Sequence, residues 1–164
     1  MQDLIRRTAA ALAAACMAAL LLGTPTGAEQ RTYQAGGEVV GYYAGWAAYQ
    51  GYTPDQLPAE HLTQINYAFA RIDPDTLTIA LENPAHDKKN LAALRKLRQQ
   101  NGHLKLLISV GGWSDSQHFS DAAATAARRE AFAASCVDFV VAQGLDGVDL
   151  DWEYPVSGGA PGTN

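Results

Sequence analysis

Short apolar runs alternate with helical patterns from Glu38 onward. The apolar runs predict four strands, at residues 39–43, 64–70, 104–110 and 147–152. Between the second and third strands, leucines recur at helical spacing behind Asp87, and Gly102 follows them. Between the third and fourth, a second helical stripe contains Phe132, Cys136, Phe139 and Val140. This alternation indicates a parallel sheet covered by helices.

The segments between the predicted strands limit the possible folds but do not select one. Gly41 and Gly45 do not form the Gly-rich loop that follows the first strand of a dinucleotide-binding sheet. The segment from Thr53 to Leu62 is short and contains prolines, so it has room for only a turn or two of helix. A full β/α barrel needs eight βα units and about 250 residues. The pattern therefore leaves open a doubly wound sheet and part of a barrel.

Residues 1–28 are typical of a secretory signal peptide. Two arginines precede an apolar run at residues 9–22, and small residues then suit cleavage after Ala28. The apolar run is too short to span a bilayer. Cys16 leaves lipoprotein-type cleavage as an alternative. We therefore expect a secreted protein whose mature part is residues 29–164, without membrane association after cleavage.

Composition excludes several classes of partner. The formal net charge is −5 and no basic run lies outside the leader, which argues against nucleic acid and anionic membranes. After cleavage Cys136 is the only thiol, so no internal disulfide is expected; a small buried residue fits it better than a nucleophile. No pair at zinc-ligand spacing occurs among the histidines, which are His61, His86, His103 and His118. We expect no metal and no cofactor.

The fourth predicted strand carries a row of carboxylates. Because side chains alternate along a strand, Asp149, Asp151 and Glu153 share one face, and the apolar residues between them should pack beneath the helices. Glu153 lies at the carboxyl end, where β/α folds place their active sites. Neighbouring acids titrate as a group, and one of them can keep its proton, as a general acid requires. A polar solvent face and a Mg²⁺ or Ca²⁺ site are the alternatives.

Four segments resemble the family 18 glycoside hydrolases, the chitinases and their relatives. The acidic strand matches the family pattern D-x-x-D-x-D-x-E with Asp146, Asp149, Asp151 and Glu153. The third strand matches S-x-G-G with Ser109-Val110-Gly111-Gly112, followed by Trp113. Residues 41–46 and 65–69 are similar to the family's first and second strands. Together these segments cover nearly all of the mature chain.

The resemblance implies a (β/α)8 TIM barrel, of which residues 29–164 would form the N-terminal half with about the first four βα units. It also implies retaining, substrate-assisted hydrolysis of β-1,4-linked N-acetylglucosamine in chitin or chito-oligosaccharides. In that scheme Glu153 protonates the glycosidic oxygen, Asp151 holds the acetamido N–H, and Asp149 shares a proton with Asp151. Asp146 has the opposite parity along the strand and is expected to be structural.

The resemblance also suggests how the sugar is bound. The residues expected around the cleft are Tyr42, Phe69, Gly112 and Trp113, with Trp46 and Tyr49 as further candidates. Core packing is the alternative for each aromatic ring. Ser109 and Gly111 are expected to let the third strand and its loop approach the acids closely.

The second half of the barrel is missing from this sequence. We therefore expect a truncated chain that is inactive alone or needs a complementing half, since exposed strand edges disfavour stability. Three alternatives to a chitinase stay open. They are a lectin-like carbohydrate-binding protein and an endo-β-N-acetylglucosaminidase of the same fold, and a metal-dependent hydrolytic or phosphotransfer protein.

Overall fold

The computed structural model describes residues 36–159 and residue 161. The expected signal peptide, with Cys16, lies outside the described residues. Within the part that is described, no helix combines the length and apolar character needed to cross a membrane.

One sheet organises the chain. Its strands are β1 (Val40–Ala44), β2 (Gln64–Ile72), β3 (Ile79–Leu81), β4 (Lys105–Gly111) and β5 (Gly147–Asp151). Strands β1, β2, β4 and β5 are adjacent in that order and parallel, while β3 pairs antiparallel with the end of β2. The four predicted strands are confirmed, each within two residues of its predicted ends. Strand β3 was not predicted, because three residues are too few for an alternating pattern to be recognised.

The helices connect these strands. Three of them are α1 (Pro84–Gln100), α2 (Phe119–Ala123) and α3 (Ala126–Gln143), and short 3₁₀ helices lie at Gly45–Gln50, Pro54–Gln56 and Ala59–His61. Helix α1 begins after Asn83, whose side chain accepts a hydrogen bond from the His86 N–H. Helix α3 begins after Thr125, which caps the Arg128 N–H, and ends at Gly144 in the left-handed region.

The core lies between the sheet and α1. Leu91 and Leu94 are almost fully buried, and each contributes about 2–3 kcal/mol through the hydrophobic effect. The sheet residues buried with them are Tyr43, Ile65, Tyr67, Leu106, Ile108 and Val110. Cys136 of α3 is also buried, which raises the pKa of its thiol to about 11. This cysteine is a packing residue, in keeping with the prediction.

The packing of β5 departs from the prediction. Val148 and Trp152 pack against the core, but Leu150 is 58% exposed. Leu150 lines an open apolar groove of about 470 Å³ with Phe132, Val137 and Val141 of α3. Among the described strands β5 pairs only with β4, so its other edge is unpaired within the described part of the chain.

Candidate active site

The parallel register brings the predicted acids to the carboxyl end of the sheet. Ser109 is paired with Asp149 and Gly111 with Asp151 across β4 and β5. Consecutive residues on one face of a strand are about 6.6 Å apart, so Asp149 and Asp151 are neighbours on one face of β5. Glu153 follows two residues after the strand ends. The charges of Asp149 and Glu153 both act on the Asp151 carboxyl group, so the three carboxylates lie near one another at this end of the sheet.

Two hydroxyl groups converge on one oxygen of Asp149. Tyr42 Oη donates to Asp149 Oδ2 at 2.7 Å, and Ser109 Oγ donates to the same atom at 2.8 Å. The hydrogen bond to Asp149 raises the pKa of Tyr42, so its hydroxyl stays protonated as a donor. Both residues were predicted in the site, but their shared contact with Asp149 was not foreseen. These bonds fix the orientation of the Asp149 carboxylate.

Asp151 lies in the middle of the acid row. Partial burial raises the pKa of Asp151, and the charges of Glu153 and Asp149 raise it further. Burial penalises a charged carboxylate because solvating water is lost, and like charges add to the penalty. Asp151 therefore holds a proton to higher pH than an isolated aspartate, which suits a group that shares a proton with Asp149.

Two glycines at the end of β4 allow the backbone to approach the acids. Gly111 and Gly112 have φ of +104° and +77°, a region that favours glycine. A Cβ on Gly111 would lie 2.5 Å from the Asp151 carbonyl oxygen, and one on Gly112 would lie 2.9 Å from the Phe69 ring. Gly112 N–H donates to the Asp151 carbonyl at 2.8 Å. Only glycine fits at Gly111 without movement of the acidic strand.

Four of the candidate aromatic residues line two hollows, and no member of the acid row lines either one. Trp46 stacks on Phe69 with ring centroids 6.1 Å apart, and Trp113 is 57% exposed. These three rings, Glu82 and Asp115 line a hollow of about 280 Å³. A neighbouring hollow of about 250 Å³ shares Trp46 and Phe69 and adds Tyr49, which stacks on His86 at 3.9 Å. Tyr42 is not among the residues lining either hollow.

Asp146 lies at the opposite end of β5 from Glu153. Its Oδ2 accepts hydrogen bonds from Arg98 Nη1 and from the Leu106 N–H, both at 2.8 Å. Burial opposes ionisation of Asp146, but the hydrogen bonds from Leu106 and Arg98 outweigh it and hold the pKa of Asp146 below its ordinary value. Asp146 joins β5 to β4 and α1 and does not reach the acid row.

One residue of the site was missed in the sequence. The Ser116 hydroxyl accepts a hydrogen bond from the Glu153 N–H at 2.9 Å and donates to the Gly112 carbonyl at 2.8 Å. No pattern distinguishes Ser116 from the nearby Ser114 and Ser120, since its contacts arise only when the loop after β4 closes on β5.

Within the described residues, no group of three or more His, Cys, Asp and Glu side chains is arranged to hold a metal ion.

Comparison with known sequences decides the family. The model for "Glycosyl hydrolases family 18" matches residues 38–161, which include all four resembling segments. The chain belongs to glycosyl hydrolase family 18. This family 18 chain is 41% identical to Chitinase A1 of Niallia circulans over an alignment that covers 77% of the chain and 24% of that protein. It is 35% identical to Chitotriosidase-1 of Mus musculus, covering 76% of the chain and 27% of that protein.

Solved structures agree with the family fold. Chitinase ChiA74 from Bacillus thuringiensis superimposes with a TM-score of 0.72 at 32% identity, over 76% of the chain and 29% of that protein. The chain spans about a quarter of the length of the two sequence relatives above. The parallel sheet is thus part of a family 18 barrel.

Proposed function

We propose that this chain is the acid-bearing part of a chitinase that hydrolyses β-1,4-linked N-acetylglucosamine polymers with retention of configuration. The observation that carries the proposal is the row of Asp149, Asp151 and Glu153, with Asp149 held by Tyr42 and Ser109. These three residues match the last three acidic positions of the family pattern D-x-x-D-x-D-x-E. Glu153, the residue that must act as the acid, is intact.

In the proposed mechanism Glu153 protonates the glycosidic oxygen while the substrate's own acetamido oxygen attacks the anomeric carbon. Asp151 holds the acetamido N–H and stabilises the positive charge that develops on the resulting oxazolinium ring. The raised pKa of Asp151 supports a proton shared with Asp149. Water, deprotonated by Glu153, then opens the ring and releases the product.

The aromatic hollows support a saccharide substrate. Pyranose rings have apolar faces that pack well on exposed aromatic side chains, and Trp46, Phe69 and Trp113 offer such faces around a hollow that reaches the end of β4. A Group II chitinase domain of Ostrinia furnacalis, solved with a chito-oligosaccharide, is 36% identical with a TM-score of 0.67, over 72% of the chain and 32% of that protein. We propose chitin or chito-oligosaccharides as the ligand, and secretion directed by residues 1–28.

The alternative is binding without hydrolysis. A chitinase-like effector of Moniliophthora perniciosa is 37% identical, over 74% of the chain and 27% of that protein. The intact Glu153 favours the enzyme. Because the open groove beside Leu150 leaves β5 uncovered, we propose that full activity also requires the rest of a barrel.

The test is the release of a fluorescent aglycone from a chito-oligosaccharide by the mature chain, with and without chelator. Glu153→Gln should lower the rate at least about 10²-fold, the usual contribution of a general acid. The matched control is Glu130→Gln, which removes an exposed carboxylate on α3. Equal rates in the wild type and Glu153→Gln, or loss of activity with chelator, would refute the mechanism.

Calorimetry with the same oligosaccharide separates the alternatives when the wild-type chain releases no aglycone. Binding without hydrolysis would favour the lectin-like function for this chain. Absence of both binding and hydrolysis is the result expected if the rest of a barrel is required, and it would refute activity of the isolated chain.

A further inference from the structure

Ser116 lies in the loop that follows β4, and its side chain is completely buried. Its Oγ is within hydrogen-bond distance of three main-chain groups: the Gly112 carbonyl at 2.8 Å, the Glu153 N–H at 2.9 Å and the Asp151 carbonyl at 3.1 Å. Two of these groups belong to the acidic segment and one belongs to the glycine pair. The side chain therefore connects the two segments that form the site.

The polarity of these contacts is consistent with a single hydroxyl group. A serine hydroxyl has one proton to donate and two lone pairs to accept with. Ser116 accepts from the Glu153 N–H and donates to the Gly112 carbonyl, with the Asp151 carbonyl as a longer second acceptor. A buried hydroxyl whose hydrogen bonds are all satisfied is held in one orientation, so it restrains the backbone groups to which it is bonded.

Ser116 acts where the sheet stops supporting the acidic strand. Strand β5 ends at Asp151, whose carbonyl still accepts the Gly112 N–H at 2.8 Å. Glu153 is two residues further on, and its N–H is bonded to Ser116 instead of to a neighbouring strand. The serine thus extends the support of β4 by two residues, to the backbone of the proposed acid.

We propose that Ser116 is a positioning residue that fixes the position of the Glu153 carboxyl group relative to Asp151 and to the glycosidic oxygen of a bound substrate. The proposal rests on the proposed function, because the position of Glu153 matters for catalysis only if Glu153 is the acid. Without the hydroxyl, the Glu153 backbone loses its hydrogen bond to the loop, and its carboxyl group is no longer fixed above the row.

The test compares Ser116→Ala with Ser116→Thr, which keeps the hydroxyl, and with Ser120→Ala, which removes a serine hydroxyl from α2. The first readout is the titration of the Asp151 carboxyl carbon by NMR in the mature chain, which needs no turnover. The titratable groups that face Asp151 are Asp149, Glu153 and, through Asp149, Tyr42. Because the charge of Glu153 helps to raise the pKa of Asp151, releasing Glu153 should lower that pKa.

The second readout is the aglycone assay. Ser116→Ala should lower kcat by about 10²-fold, the effect expected of a misplaced catalytic group, with little change in KM. Ser116→Thr should restore most of kcat, and Ser120→Ala should match the wild type. Unfolding would also lower the pKa of Asp151, because its partial burial would be lost, so the titration is read from the folded-state resonance of chains whose far-UV circular dichroism matches the wild type.

An Asp151 titration that is the same in Ser116→Ala and the wild type overturns the proposal, whether or not the chain turns over substrate. A lowered pKa of Asp151 shows that Ser116 positions Glu153, and Glu153→Gln tests separately whether Glu153 is the acid. The two proposals are therefore tested by different variants and different signals.

Discussion

Replacing Gly111 by Ala should destabilise the chain more than replacing Gly51 or Gly102 by Ala. The positive φ of +104° puts alanine in a sparsely populated region, at a cost of about 1–3 kcal/mol. The new Cβ would also lie 2.5 Å from the Asp151 carbonyl oxygen and 2.6 Å from the Phe119 ring. Such overpacking costs about 1–3 kcal/mol more, because the carbonyl belongs to a paired strand and cannot rotate away.

Two other glycines separate these two contributions. Gly51 also has a positive φ, of +86°, but nothing lies within 4 Å of its added Cβ. Gly102 has open space and no positive φ. Gly51→Ala should therefore lose only the backbone part, about 1–3 kcal/mol. Gly102→Ala should be neutral or slightly stabilising, since alanine restricts the unfolded chain.

The assay is urea unfolding of the mature chain followed by far-UV circular dichroism. The free energy of unfolding should decrease in the order Gly102→Ala, Gly51→Ala, Gly111→Ala, with the last about 2–6 kcal/mol below the wild type. If Gly111→Ala and Gly51→Ala agree within about 0.5 kcal/mol, the contact with Asp151 has no energetic weight, and the reasoning about this close approach is wrong.

Two carboxylates give opposite pH dependences. The pKa of Asp151 is raised in the folded chain, so wild-type stability should fall as pH rises from the ordinary pKa of 3.8 through the raised pKa. In thermal melting, Asp151→Asn should therefore be more stable than the wild type at pH 7. This difference should vanish near pH 3, where Asp151 is protonated in both the folded and the unfolded chain. Because the pKa of Asp146 is lowered, Asp146→Asn should be less stable by about 1–3 kcal/mol at pH 7, and the difference should shrink as pH falls below 3.8. Reversal of either trend would contradict the assigned environment.

The sequence was most informative where one local rule governs the structure. Side-chain alternation predicted that Asp149 and Asp151 share one face of β5, and Glu153 follows two residues after the strand ends. The burial of Leu91, Leu94 and Leu97 followed from helical spacing, and all three are buried. These patterns depend on neighbours within a few residues, so they can be seen without the fold.

The pattern of the sequence did not predict contacts between segments that are distant along the chain. The hydrogen bond from Tyr42 to Asp149 spans 107 positions, and the one from the Glu153 N–H to Ser116 spans 37. Leu150 was expected beneath a helix because its alternation matched Val148, but only the pairing of β5 reveals that it lies on an edge. These features depend on how the loops close and on the order of the strands, and neither can be read from the local periodicity of the sequence.

All three tryptophans of the chain follow the carboxyl ends of strands: Trp46 after β1, Trp113 after β4 and Trp152 after β5. Trp46 and Trp113 are more than half exposed, whereas Trp152 is stacked on Phe119 at 5.3 Å. Indole emission is sensitive to the polarity of its surroundings, so the intrinsic fluorescence of this protein originates at one end of the sheet. A sugar ring that displaces water from Trp46 and Trp113 should shift that emission to the blue. The molecule thus has a built-in optical reporter of cleft occupancy that requires no label.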